Sequence, residues 1–459
     1  MPYTSRPTKT PSGRARLGKV APLGKLIRYE VVGLFGSRNR EFTLDQDEPT
    51  LLTGANGSGK STILRTIDFI STGRWQDLFA IPFHSITLDF DSGMQFAAHR
   101  SEDSAEIYLT GEEPWVINQD ELWQHKSWWN LSANSALVNV RNSIAHGSSL
   151  TDELFQSAIA ERLGHLPAAE RLALLLTTSS RAPEWIKDFS TRFPVLFITD
   201  QRLVIEPAKR KSQQGSSSTE AVTTRFAAEE AAQNIAEEIA AAQAAYASRS
   251  QSLDRNFPQR VIRAIATTRK ASENELRRQL DTLTKQRRLL REVALLPQEA
   301  EDEFDELDFT APHTRAVIAT YIQDTKKKLA VLEPLRRRLA LFSQFVNRHF
   351  EPKSIWFDIE KGFTIAAGEG NESLPPKRLS SGEQQLLVLA HHVLFRAAPG
   401  TLVLIDEPEL SLHVVWQATL VDDLTEMGRE RDLTFVLATH SPTLIAGRND
   451  LRRSLDTRH

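Results

Sequence analysis

The eight residues Gly54-Ala-Asn-Gly-Ser-Gly-Lys-Ser61 constrain the fold more than any other part of the chain, because they satisfy G-x-x-x-x-G-K-[ST]. The preceding Pro49-Thr-Leu-Leu-Thr-Gly reads as a β-strand, and a helix is predicted from Ser61. A strand feeding a glycine loop that opens a helix lets backbone N–H groups close on phosphate oxygens, and the helix N-terminus adds favourable potential. In such a loop Lys60 reaches the β and γ phosphates of a nucleotide, and the Ser61 hydroxyl is a ligand for Mg²⁺.

Composition narrows the class without naming a function. The 459 residues are 40% hydrophobic and 25% charged, enough apolar content for one sizeable core or more. A net charge of -3 gives no global attraction to nucleic acid or membrane, so such binding must come from local patches. Cysteine is absent, which removes disulfides, thiolate metal sites and cysteine nucleophiles. No apolar run approaches a membrane span and the N-terminus lacks a signal-peptide core, so the expectation is a cytoplasmic protein with no membrane partner.

Along the chain, residues 1–24 are basic, rich in Pro and Gly and free of acids, and are expected to form a disordered tail. An α/β segment is expected over 25–205, with strands in "KLIRYEVVGLFG", "REFTLD" and "SITLDF" and a small helical insertion. Trp115, Trp123, Trp128 and Trp129 suit that insertion's own core, with a base-stacking surface as the alternative. Residues 206–222 read as a polar linker, and 223–350 as a helical insertion. Within it Leu276, Leu280, Leu283 and Leu290, then Ile318, Ile322, Leu329, Leu332, Leu339, Phe342 and Val346, recur at helical spacing. They predict an antiparallel hairpin with arms of about 40 residues, roughly 60 Å each, the second kinked or broken at Pro334. Residues 351–459 return to α/β character. The fold class expected is therefore α/β, a split head with a P-loop sheet interrupted by a short coiled-coil hairpin.

Two strand ends add chemistry. Thr401-Leu-Val-Leu-Ile-Asp-Glu-Pro-Glu409 is a buried parallel strand delivering Asp406 and Glu407 where α/β sheets place ligands. Asp406 suits a Mg²⁺ shell, and Glu407 can polarise an attacking water. "TFVLATHSP" sets His440 at another strand end, where an imidazole could hold a γ-phosphate and water in line.

In order, "GANGSGKS", "LSSGEQQ", "LVLIDEPE", "LSLH" and "THSP" resemble the Walker A, signature, Walker B, D-loop and switch-histidine motifs of ATP-binding-cassette ATPases. The helices between the halves make the chain similar to the SMC and DNA-repair branch rather than to transporters. The resemblance implies ATP and Mg²⁺ as cofactors, with Gly54, Asn56, Gly57, Ser58, Gly59, Lys60, Ser61 and Thr62 around the nucleotide and Ser61 and Asp406 around the metal. It implies that Ser380, Gly382 and Glu383 meet the nucleotide of a second head, while Glu409, Leu410, Ser411 and His413 cross the dimer interface. It also asks for a glutamine after a strand before the arms. Gln201 has that placement for nucleotide and metal, in preference to Gln95 or Gln76, with Arg202 beside it left unassigned.

A zinc hook needs a Cys-x-x-Cys, which this chain lacks, and residues 441–459 are too few for a nuclease domain after the switch motif. The build resembles the ATPase subunits of bacterial anti-phage defence systems of PARIS or Septu type. That likeness implies a homo-oligomeric ATPase that senses a phage component and controls a separate TOPRIM or HNH nuclease. The alternatives are a repair ATPase clamping duplex DNA, supported by the basic stretch Arg255–Arg291, and a scaffold that binds ATP without turnover, against which Glu407 argues. Basic helices also pair with partner arms or solvate a surface.

Overall fold

The structure is a computed structural model and describes residues 23–101, 104–118, 182–199, 204–205, 225–267, 272–298, 309–367 and 372–455. Its centre is a parallel sheet of β3 (Thr50–Thr53), β8 (Val195–Ile198), β14 (Leu402–Asp406), β15 (Thr434–Ala438) and β16 (Arg452–Ser454), in the order β16-β3-β15-β14-β8. The three central strands β3, β15 and β14 are buried along their whole length because both faces of the sheet are covered there. Leu402 and Leu404 join one core while Val403 and Ile405 join the other, as period-two side chains require.

The first core lies under an antiparallel sheet of β1 (Leu26–Leu34), β2 (Arg38–Thr43), β4 (Ser85–Phe90), β5 (Gln95–Arg100), β6 (Ser104–Leu109) and β7 (Trp115–Asn118), in the order β2-β1-β4-β5-β6-β7. Helix α1 (Lys60–Thr72) joins the two sheets, burying Ile63, Leu64, Ile67 and Ile70, and Tyr29 OH lies 2.8 Å from Thr66 Oγ1. Next come α2 (Trp75–Ala80) and α3 (Glu184–Arg192). Trp115 packs edge-on against Trp75, 6.0 Å between centroids, and half-buried against the core of this sheet rather than in a core of a separate insertion. Trp123, Trp128 and Trp129 lie outside the described residues. Leu23, expected in the tail, is only 1% exposed, and the Lys25 N–H donates to Asp91.

The second core holds the helices. They are α4 (Ala227–Arg255), which follows a short β9–β10 pair (Val204–Ile205, Arg225–Phe226), then α5 (Phe257–Thr267), α6 (Glu273–Glu292), α7 (Pro312–Leu329) and α8 (Glu333–His349). Every leucine, isoleucine, phenylalanine and valine of the periodic sets is buried. Their arrangement differs from a two-armed hairpin of roughly 60 Å. Ser272 caps α6 through Glu275 N, separating it from α5, and Pro334 sits in the first turn of α8, separating it from α7. The longest helix, α4, is 29 residues, about 44 Å. The pieces pack on the head and share one core with α9 (Ser381–His391) and α10 (Val414–Arg431).

Part of the basic stretch is paired within these helices. Arg260 pairs with Asp324, Arg277 with Glu273 and the Phe309 ring, Arg278 with Glu275, and Arg287 donates to Tyr321 OH at 2.6 Å. Lys328 pairs with Asp254 at 2.7 Å, a residue of α4, and Lys326 donates to Gln279. A hairpin of β11 (Ser354–Asp358) and β12 (Gly362–Ala367), with β13 (Glu372–Leu374), leads to α9. The short α11 (Pro442–Ile445) precedes β16. Among the described residues no helix is long and apolar enough to cross a membrane.

Candidate nucleotide site

The carboxyl ends of β3, β14 and β15 converge, as expected for the ligand edge of a parallel sheet. Gly57 and Gly59 take φ of +75° and +101°, a region open to glycine, and Gly59 is the N-cap of α1. Lys60 is 5% exposed, and its Nζ donates to Gly54 O at 2.9 Å and Ala55 O at 3.3 Å. It also lies 2.5 Å from His440 Nε2. An ammonium only donates, so in this contact the ring nitrogen can serve only as acceptor.

Ser61 Oγ donates to Asp406 Oδ1 at 3.0 Å. A hydroxyl and a carboxylate facing each other at the mouth of the loop are the hard oxygen donors Mg²⁺ prefers, with phosphate and water supplying the rest. Among the described residues no cluster of three or more His, Cys, Asp or Glu could hold a metal ion. Ser61 and Asp406 would hold the ion, which would neutralise phosphate charge. Glu407 follows at φ +47° with its N–H on Ala438 O at 2.9 Å. A left-handed non-glycine costs about 1–3 kcal/mol and tends to sit where geometry matters.

The signature turn is built as a reciprocal cap. Ser380 Oγ accepts from Glu383 N, while Glu383 Oε2 accepts from Ser380 N at 2.8 Å and Ser380 Oγ at 2.9 Å. Lys353 Nζ donates to Glu383 Oε1 at 2.6 Å. Burial alone would raise the Glu383 carboxyl, but the hydrogen bonds from Lys353 and Ser380 outweigh it and hold it below the ordinary glutamate range. Glu383, expected to face a second head's nucleotide, therefore has both oxygens committed within its own chain. Ser380 and Ser381 are exposed, and Gly382 is buried against the D-loop: a Cβ there would lie 2.6 Å from Ser411 O.

Of the four D-loop residues, Leu410, Ser411 and His413 are exposed and Glu409 is not. Glu409 turns its carboxylate onto the switch loop, whereas Leu410, Val414 and Val415 are 39%, 59% and 60% exposed. His413 caps α10 and lies beside Trp416. Asn56 and Thr62 lie in the loop and on α1 as read, and Ser58 is buried. Gln201 and Arg202 lie outside the described residues; Gln95 is spent on Asp89 at 2.7 Å on the antiparallel sheet.

Three contributors escaped the sequence. Arg38 donates to Gly57 O and stands 5.8 Å from the exposed Phe35 ring, a face on which a base could stack. Lys353 and Gln417 act only through tertiary contacts.

A family model described as "AAA domain, putative AbiEii toxin, Type IV TA system" matches residues 50–112 and 197–446, more than half of the chain. The thiamine import ATP-binding protein ThiQ of Chelativorans sp. (strain BNC1) is 38% identical over 73 residues, 16% of this chain and 28% of that protein. The chain thus spans well under two thirds of ThiQ. The cytochrome c biogenesis ATP-binding export protein CcmA of Gluconobacter oxydans (strain 621H) is 29% identical over 175 residues, 37% of this chain and 68% of that protein. Among solved structures, the Smc head domain of Pyrococcus furiosus aligns over 92% of this chain and 91% of its own, at 13% identity and a TM-score of 0.38. The SMC head domain of Thermotoga maritima gives 11% and 0.34 over the same shares. Scores this low add nothing to the fold already described. With the P-loop, acid-ended strand and switch histidine brought to one sheet edge, the chain is an ABC-like ATP-binding protein that belongs to the AAA-domain family described for the AbiEii toxin of type IV toxin–antitoxin systems.

Proposed function

We propose that this chain hydrolyses ATP between two copies of its head and uses that cycle to control a separate nuclease in an anti-phage defence system. The observation that carries the ATPase part is the convergence of Lys60, Ser61, Asp406 and His440, with Glu407 following Asp406 at the same strand end. Lys60 would reach the γ-phosphate, Ser61 and Asp406 hold the metal, and Glu407 orient the attacking water, with His440 keeping phosphate and water in line. Water polarised by Glu407 attacks the γ-phosphorus as the bond from that phosphorus to the β,γ-bridging oxygen breaks; ADP leaves with that bond's electron pair, and the water's proton passes by way of Glu407 to the released phosphate.

Two features support the sandwich. Ser380 and Ser381 expose a capped helix N-terminus suited to a phosphate of a second head, and the apolar Leu410, Val414 and Val415 beside the D-loop suit a covered surface. Gln201 is assigned to nucleotide and metal by resemblance alone. The family description, which names a toxin–antitoxin system, supports a second gene product as partner, and the resemblance to PARIS and Septu ATPases makes it a TOPRIM or HNH nuclease. A phage component as trigger follows from the same likeness, whereas DNA as a ligand belongs to the alternative repair reading. The pairing of Arg260, Arg277, Arg278 and Arg287 within the helices favours this reading over a DNA clamp on the arms.

Native mass of the protein, alone and co-expressed with its neighbouring genes, with and without Mg-ATP, tests the assembly. A retained nuclease subunit is expected. An ATP-dependent dimer that shifts duplex DNA in a salt-sensitive way, with no second subunit, would replace this reading with the repair one.

A further inference from the structure

The switch loop after β15 is fastened by a residue outside the usual catalytic roles. Glu409 Oε1 accepts three hydrogen bonds, from Thr439 Oγ1 at 2.8 Å, His440 N at 2.8 Å and Ser441 N at 3.0 Å. Thr439 N donates to Leu52 O at 3.1 Å, which ties the same loop to the strand that enters the P-loop. A second clamp lies beside the first. Ser441 Oγ donates to Gln417 Oε1 at 2.7 Å, and Gln417 Nε2 donates to Leu412 O at 3.0 Å and Glu409 O at 3.4 Å.

His440 itself is exposed, between the buried Thr439 and Ser441. The carboxylate of Glu409 holds the loop through the residue's own amide and both neighbours. Hydrogen bonds to an ionised acceptor are about twice as strong as neutral ones, so three on one oxygen make a stiff anchor. Glu409 lies three residues past Asp406 on the same segment. One stretch of chain thus sets the metal carboxylate and, through Glu409, the backbone that carries the imidazole.

We propose that Glu409 is a positioning residue for His440: it holds the switch loop of its own chain so that Nε2 stays at the Lys60 end of the phosphate site. This inference rests on the ATPase reading above. It gives Glu409 an intrachain task where the sequence resemblance implied a contact across the dimer. It also separates the two glutamates of Glu407-Pro408-Glu409, one for the attacking water and one for the histidine that aligns it. Misplacing such a group by about 1 Å can cost about 100-fold in rate.

Steady-state phosphate release and fluorescent-nucleotide binding are measured for the full chain, Glu409→Ala, Glu409→Gln, His440→Ala and the Glu409→Ala/His440→Ala double variant. Glu409→Ala should lose about 100-fold in kcat with nucleotide Kd unchanged. Glu409→Gln keeps an acceptor oxygen in place and should recover most of that loss. The double variant should be no slower than His440→Ala, because both act through one group. Wild-type kcat in Glu409→Ala overturns the proposal, and so does an additive double variant. Equal loss of Kd and melting temperature in Glu409→Ala and Glu409→Gln marks a merely structural role and overturns it too. A wild type that releases no phosphate from Mg-ATP overturns the ATPase reading and this proposal with it.

Discussion

Replacing Glu383 by Gln isolates the charge that organises the signature turn. The carboxylate is 7% exposed and takes hydrogen bonds from Ser380 N, Ser380 Oγ and Lys353 Nζ, the last at 2.6 Å. Gln keeps one acceptor oxygen and loses the ion pair. A capping interaction is worth about 0.5–2 kcal/mol and a charge-assisted bond about 1.5–3. The Lys353 side chain is 26% exposed and can turn to water, which tempers the loss to about 1–2 kcal/mol. The sign with pH follows from the lowered carboxyl. Its contribution is complete above the unfolded value of about 4.3 and is lost as pH falls through the lower folded value. Thermal melting of wild type and Glu383→Gln from pH 8 downward should therefore show a constant gap that closes in acid below about pH 4. Lys353→Met should destabilise as well, and the double variant should lose less than the sum of the two. A gap that persists unchanged in acid, or fully additive losses, would refute a charged cap.

Two further outcomes follow from packing and burial. Gly382→Ala would set a Cβ 2.6 Å from Ser411 O and 3.2 Å from Trp416, so the D-loop must move. It should cost about 1–3 kcal/mol and depress turnover, read by melting temperature and phosphate release. His391 is fully buried, and burial, with His392 and Arg396 nearby, pushes its imidazole well below the ordinary histidine range. The folded state keeps it neutral while the unfolded chain binds a proton below about pH 6.5, so stability falls as pH drops past that point. His391→Leu should flatten the decline between pH 7 and 5 in the same melting assay.

What the sequence disclosed depends on how local the cause is. The P-loop, the acid-ended strand and the "THSP" strand end are each written within one short stretch, and all three arrive at one sheet edge. Helical periodicity located Leu276, Leu283, Ile322 and Phe342 in the core. Pro334 was legible as a kink or break of the second arm, but the break at Ser272 was not, and two long arms were expected where shorter helices pack on the head, because periodicity reports a buried face and not what covers it. Strand β16 was unreadable, since Arg452-Arg-Ser joins the sheet by pairing with β3 rather than by apolar character. Arg38, Lys353 and Gln417 owe their roles to partners 19, 30 and 24 residues away, and nothing in their own neighbourhoods announces them. Glu409 was read as part of the D-loop, but the direction of its carboxylate is a tertiary fact.

The account turns on ATP hydrolysis at this sheet edge, and the most direct test is phosphate release with retained-nucleotide analysis for wild type, Glu407→Gln and Lys60→Ala. The prediction is turnover in wild type, ATP held without turnover in Glu407→Gln, and no nucleotide on Lys60→Ala. Equal turnover in wild type and Glu407→Gln would contradict it.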